Sequence, residues 1–97
     1  IEHVKSLPSV DPERVYIGGH SIGGTITLLA AVSGSETDFR AAFSFGGRPD
    51  MGALMTDGEE GEGYGYGNTP YDHKKSPRDT ELRSPIRYTK FITSTTF

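Results

Sequence analysis

One serine stands out by its neighbours. In Gly18-Gly19-His20-Ser21-Ile22-Gly23-Gly24, glycines lie on both sides of the Ser21 hydroxyl. A serine hydroxyl attacks a carbonyl when a base takes its proton and hydrogen-bond donors hold the resulting oxyanion. The spacing Gly19-x-Ser21-x-Gly23 is that of a nucleophile elbow, a sharp strand-to-helix turn that exposes the serine at its tip. Both flanking elements are present. Arg14-Val15-Tyr16-Ile17 reads as a buried strand over 14–18, and Thr25 to Val32 as an apolar run with no breaker, long enough with Ile22 to make three helical turns. So tight a turn forces the serine into a sparsely populated backbone conformation. Cβ atoms at positions 19 and 23 would collide as the helix folds back over the strand, and Gly24 keeps the first helical turn close to the sheet. Ser21 is therefore the candidate nucleophile. The Ile22 N–H, among the free donors that open a helix, is the candidate oxyanion donor.

Other readings of these glycines fit less well. A dinucleotide fingerprint needs G-x-G-x-x-G, but its middle position falls on Ser21 or His20; a phosphate-binding loop needs a Gly-Lys-Ser/Thr ending, and no lysine is near. A tightly packed turn with Ser21 as a plain N-cap explains the glycines but not the whole strand–turn–helix pattern.

A base and an acid are harder to find. His20 adjoins Ser21, and side chains adjacent on a sharp turn diverge, which suits packing or a substrate-side contact. His73 sits among Lys74 and Lys75 in a polar stretch, and His3 lies far from the strand ends. Asp50 follows the strand after the elbow helix, where some of the α/β-hydrolases that this elbow resembles take their triad acid, and that resemblance makes it a minor alternative for the acid.

The elements around the elbow follow from pattern. Apolar residues at 1, 4 and 7 predict a helix closed by Pro8. Ser9 to Glu13 forms a turn into the first strand, which shows little polar alternation and so reads as covered on both faces. The elbow helix ends near Ser33-Gly34, with Gly34 as a C-cap. Phe39 to Phe45 is a second strand, parallel to the first if the crossover is right-handed. Ligands in such sheets bind beyond the carboxyl ends of the strands, so Ser21 and Gly46 to Asp50 face one crevice. Residues 51–80 break the pattern. Their glycines, with Tyr64, Tyr66 and Tyr71, predict an insertion on the active-site side. Asp79 to Arg83 begins a short helix stopped by Ser84-Pro85, 86–91 has mixed character, and Ile92 to Phe97 opens a third strand.

The 97 residues carry a net charge of −3 with both signs dispersed, which gives no footprint for nucleic acid. With no cysteine there is no disulfide and no thiol chemistry. The apolar run Ile26 to Val32 is too short to span a bilayer. No cofactor or metal site is indicated, the oligomeric state is open, and so is the compartment, with the cytoplasm slightly favoured. A helical pattern at Ile1 and a strand pattern at Phe97 predict a fragment of one catalytic domain, inactive and poorly folded alone.

Val10-Asp11-Pro12-Glu13-Arg14 leading into Val15 to Gly24 resembles the approach to the elbow in α/β-hydrolases. The resemblance is to the branch of prolyl-oligopeptidase-like serine peptidases and dienelactone-hydrolase-type esterases. Phe39 to Ser44 resembles the next strand, and Arg83-Ser84-Pro85-Ile86 with Ile92 and Thr95 the approach to the one after, with Ser94 where that branch has a proline. The resemblance implies a partial α/β-hydrolase fold and a Ser-Asp-His triad with Ser21 as nucleophile. It places the acid and histidine beyond Phe97, and the second oxyanion donor before Ile1. The implied activity is that of a serine hydrolase on peptides, with ester substrates or a non-catalytic binding role as alternatives. The Asp-Pro-x-Arg lead-in and the later Ser-Pro incline the reading towards a peptidase.

Overall fold

The computed structural model describes residues 1–34, 38–52 and 77–97. In chain order these form α1 (Glu2–Lys5), a 3₁₀ helix (Pro12–Arg14), β1 (Tyr16–His20), α2 (Ile22–Ser33), β2 (Ala41–Phe45), α3 (Pro77–Leu82), a second 3₁₀ helix (Pro85–Phe91) and β3 (Thr95–Thr96). The strands form one parallel sheet in the order β1-β2-β3. This is the open, helix-connected parallel sheet expected of a partial α/β-hydrolase fold. The 53–76 part of the insertion, with Tyr64, Tyr66, Tyr71 and His73, lies outside the described residues.

Register divides the sheet into two faces. Tyr16 pairs with Ala41 and His20 with Phe45, while Ala41 pairs with Thr95. The β2–β3 ladder runs on to Phe97, whose N–H donates to the Ala42 carbonyl (2.9 Å) and whose carbonyl accepts from the Ser44 N–H (2.8 Å). One face, towards α2, holds the core cluster of Val15, Ala31, Phe39 and Ala42, with Val10 and Ile17 packed against it. Ala42 and Ala31 are fully buried at the contact. Two alanines there let the helix axis approach the sheet more closely than larger side chains would. On the other face an aromatic row crosses the strands. Tyr16 meets Phe43 at 6.4 Å between ring centroids, and Phe43 stacks on Phe97 at 5.1 Å. Tyr16 and Phe97 remain more than half exposed.

Four local expectations are corrected. The first strand spans Tyr16–His20, not 14–18, because Asp11-Pro12-Glu13-Arg14 folds into a capped 3₁₀ turn. Asp11 Oδ1 accepts from the Glu13 N–H (3.0 Å), Pro12 supplies the helical φ, and Arg14 Nε pairs with Asp11 Oδ2 (3.3 Å). Both side chains of that pair are largely exposed, so it orders the turn and adds little stability. Burial along β1 alternates between exposed and half-buried residues, so among the described residues the strand is covered on its α2 face only. Gly34 does not adopt a left-handed cap: its φ is −84°. A Cβ there would sit 2.9 Å from the Ala30 carbonyl oxygen and 3.0 Å from Phe39, so the requirement is for space. The second strand spans Ala41–Phe45, not Phe39–Phe45, with Phe39 buried in the core cluster ahead of it, and residues 85–91, to which the pattern assigns no element, form a 3₁₀ helix started by the buried Pro85.

The reading of Gly34 is testable. Gly34→Ala should destabilise the protein by about 1–3 kcal/mol through overpacking, measured by chemical unfolding. Gly34→Asn, which a left-handed cap would tolerate, should cost more.

Candidate active site

The candidate nucleophile sits where β1 becomes α2, and its backbone bears the constraint. Ser21 has φ 56° and ψ −118°, the positive-φ non-glycine residue among those described. Such a conformation costs of order 1–3 kcal/mol and persists only where its surroundings enforce it. Here hydrogen bonds enforce it from both sides. The Ser21 N–H donates to the Phe45 carbonyl at the end of β2 (2.8 Å), and the Ser21 carbonyl accepts from the Thr25 N–H (3.1 Å) as the first bond of α2. Ser21 itself is exposed.

The glycines act by space, and not quite as the motif suggests. A Cβ on Gly19 would overlap the Gly23 backbone, whereas one on Gly23 would meet nothing within 4 Å. The close approach is therefore between strand residue 19 and the backbone of residue 23, and the side-chain restriction falls on Gly19 alone. Gly24 is the second crowded position, but its neighbour is the loop after β2. A Cβ on Gly24 would lie 2.8 Å from the Gly47 nitrogen, and one on Gly47 would lie 2.7 Å from the Thr25 nitrogen. Gly46, at φ +60°, turns the chain so that Gly47 can make this approach.

Two hydroxyls complete the joint between helix and loop. Ser44 Oγ donates to the Gly24 carbonyl (3.1 Å). Thr25 Oγ1 accepts from the Arg48 N–H (2.8 Å) and donates to the Arg48 carbonyl (3.2 Å). Sequence reading missed Ser44, Gly47 and Thr25, whose only signals were a doubled glycine and unremarkable hydroxyls about twenty residues apart.

The Ile22 N–H lies in the first turn of a 12-residue helix, where no intrahelical carbonyl reaches it. Together with the helix dipole it favours negative charge beside Ser21. The Ile22 side chain is exposed and leaves that end of the helix open to solvent.

The other candidates disperse. His20 ends β1 exposed, in register with Phe45, and His3 is exposed on α1. Asp50 Oδ1 accepts from the Gly52 N–H (2.9 Å), and the residue borders a shallow cleft with Glu81, Ser84 and Arg87. Ser84, almost fully buried, ties this region together by accepting from the Met51 N–H (3.0 Å) and donating to the Thr80 carbonyl (2.7 Å). Among the described residues no three His, Asp or Glu side chains gather as a metal site would require, and no helix is long and apolar enough to cross a membrane.

The two motif glycines should separate cleanly on substitution. Gly19→Ala should cost about 3 kcal/mol or more, because only backbone can yield to the new methyl. Gly23→Ala should leave thermal unfolding nearly unchanged.

Comparison with known proteins now adds to this geometry. The model of the prolyl oligopeptidase family, peptidase family S9, matches residues 1–93. No curated protein matches the chain significantly. Among solved structures, an acylaminoacyl peptidase in complex with Z-Gly-Gly-Phe-chloromethyl ketone superposes with a TM-score of 0.78 over 98% of this chain at 23% identity. This chain spans 15% of the length of that peptidase. With a strained serine at a strand-to-helix turn, a parallel sheet beside it and a family match over nearly its whole length, the chain belongs to the prolyl oligopeptidase family.

Proposed function

We propose that the protein bearing this chain is a serine peptidase that works through an acyl-enzyme on Ser21. The observation that carries this reading is the positive φ of Ser21 at the mouth of α2, in a family of serine peptidases. Ser21 Oγ attacks the scissile carbonyl carbon, and its proton passes to a histidine supplied by the rest of the catalytic domain, of which residues 1–97 form one part. The carbonyl oxygen becomes an oxyanion facing the Ile22 N–H. Collapse of the tetrahedral intermediate expels the leaving amine, which takes the proton, and leaves the acyl group on Ser21. Water then repeats the sequence to release the acid. The peptide inhibitor held by the structurally similar acylaminoacyl peptidase supports a peptide over an ester as substrate.

Labelling the full-length protein with a fluorophosphonate tests the nucleophile. Wild type should be labelled and Ser21→Ala should not; equal labelling of both contradicts the assignment. Turnover of aminoacyl-naphthylamides is expected. Turnover of short p-nitrophenyl esters alone would make the protein an esterase of the same fold.

A further inference from the structure

Thr25 lies four residues after the candidate nucleophile, at the end of the first turn of α2, and only 7% of its surface is exposed. Its neighbour Ile26 is 60% exposed, so the helix turns a hydroxyl inward and leaves an isoleucine outside. Burying a hydroxyl is unfavourable unless it is fully hydrogen-bonded, and this one is: it accepts from the Arg48 N–H (2.8 Å) and donates to the Arg48 carbonyl (3.2 Å). One side chain thus satisfies both backbone groups of a residue 23 positions away. The same residue's backbone N–H closes the first turn of α2 onto the Ser21 carbonyl (3.1 Å).

Thr25 therefore joins two structures that meet at Ser21. Through its main chain it holds the carbonyl side of the strained serine. Through its hydroxyl it fixes the Gly46-Gly47-Arg48 loop, which continues directly from Phe45, the acceptor of the Ser21 N–H. Between these attachments Gly24 and Gly47 are in backbone contact too close to admit a side chain on either. The clamp thus lies between the helix turn that bonds the Ser21 carbonyl and the loop that follows the acceptor of the Ser21 N–H.

We propose that Thr25 is a positioning residue for Ser21, holding the nucleophile and the adjoining Ile22 N–H in reactive geometry through its two hydrogen bonds to the Arg48 backbone. This rests on the serine-peptidase reading above. A misplacement near 1 Å at a reacting centre slows chemistry up to about 100-fold without weakening binding.

The test uses the full-length protein and its Thr25→Val, Thr25→Ser and Thr25→Cys variants. Fluorophosphonate labelling rates and steady-state kinetics are measured below the thermal transition of each. Thr25→Val keeps the shape and loses both bonds. It should label about 10- to 100-fold more slowly and lose kcat by a similar factor with KM nearly unchanged. Thr25→Ser, which retains the hydroxyl, should stay within about threefold of wild type. Should Thr25→Val fail to fold, Thr25→Cys, whose thiol bonds weakly, carries the test and should label at an intermediate rate. If Thr25→Val, or Thr25→Cys in its place, loses thermal stability but labels at the wild-type rate, Thr25 is structural only and the proposal is overturned. A wild-type protein with no Ser21-dependent labelling overturns the peptidase reading and this role together.

Discussion

The backbone of Ser21 is held at φ 56°, where serine does not rest unaided, and much of the surrounding structure exists to keep it there. The strain is local, but its restraints come from three places in the chain. β2 supplies the acceptor at Phe45, α2 supplies the donor at Thr25, and the loop after β2 presses Gly47 against Gly24. Each restraint alone matches the strain only in order of magnitude, since a typical hydrogen bond contributes roughly 1 kcal/mol. Together they over-determine the turn, which is how a strained residue survives in a folded protein.

The same constraint accounts for the small residues on the buried side of α2. Gly24, Thr25, Thr27 and Ala31 are buried there, while Ile22 and Ile26 are exposed. Those four positions offer little apolar area, and Leu28, Leu29 and Val32 are half-buried beside them. What the helix gains is proximity: its first turn lies close enough to the β2 loop for Ser44 Oγ and Thr25 Oγ1 to bond across the gap. The larger apolar groups lie elsewhere, in Phe39 beneath the helix end and in the aromatic row on the opposite face of the sheet. Position at the elbow and cohesion of the sheet are thus supplied by different residues.

How much of this was legible in the sequence depends on the range over which each feature is determined. The elbow, the helix from Ile22 and the second strand were legible because glycine spacing and apolar runs encode them locally. The start of β1 was displaced by two residues because Asp11 caps a 3₁₀ turn that consumes Arg14, and its strand-like neighbours hid this competition. Gly34 reads from the sequence as a C-cap, whereas in the structure its place is set by clearance from the Ala30 carbonyl and Phe39. The roles of Gly47, Ser44 and Thr25 were invisible. They depend on contacts about twenty residues apart, and nothing in a single hydroxyl or glycine distinguishes a clamp from a surface residue. Of the proposed catalytic groups, the local pattern offers Ser21 and the Ile22 N–H as candidates, because glycine spacing and a helix start are encoded within a few residues.

In the proposed mechanism the strained turn presents Ser21 as the nucleophile with the Ile22 N–H as its oxyanion donor. A crystal structure of the full-length protein after reaction with a peptidyl phosphonate tests it most directly. The expected adduct has a covalent bond from phosphorus to Ser21 Oγ, a positive φ at Ser21 as in the free chain, and a phosphonyl oxygen about 3 Å from the Ile22 nitrogen. Phosphorus bonded to another residue, or an adduct whose oxygen turns away from the Ile22 N–H, would contradict it.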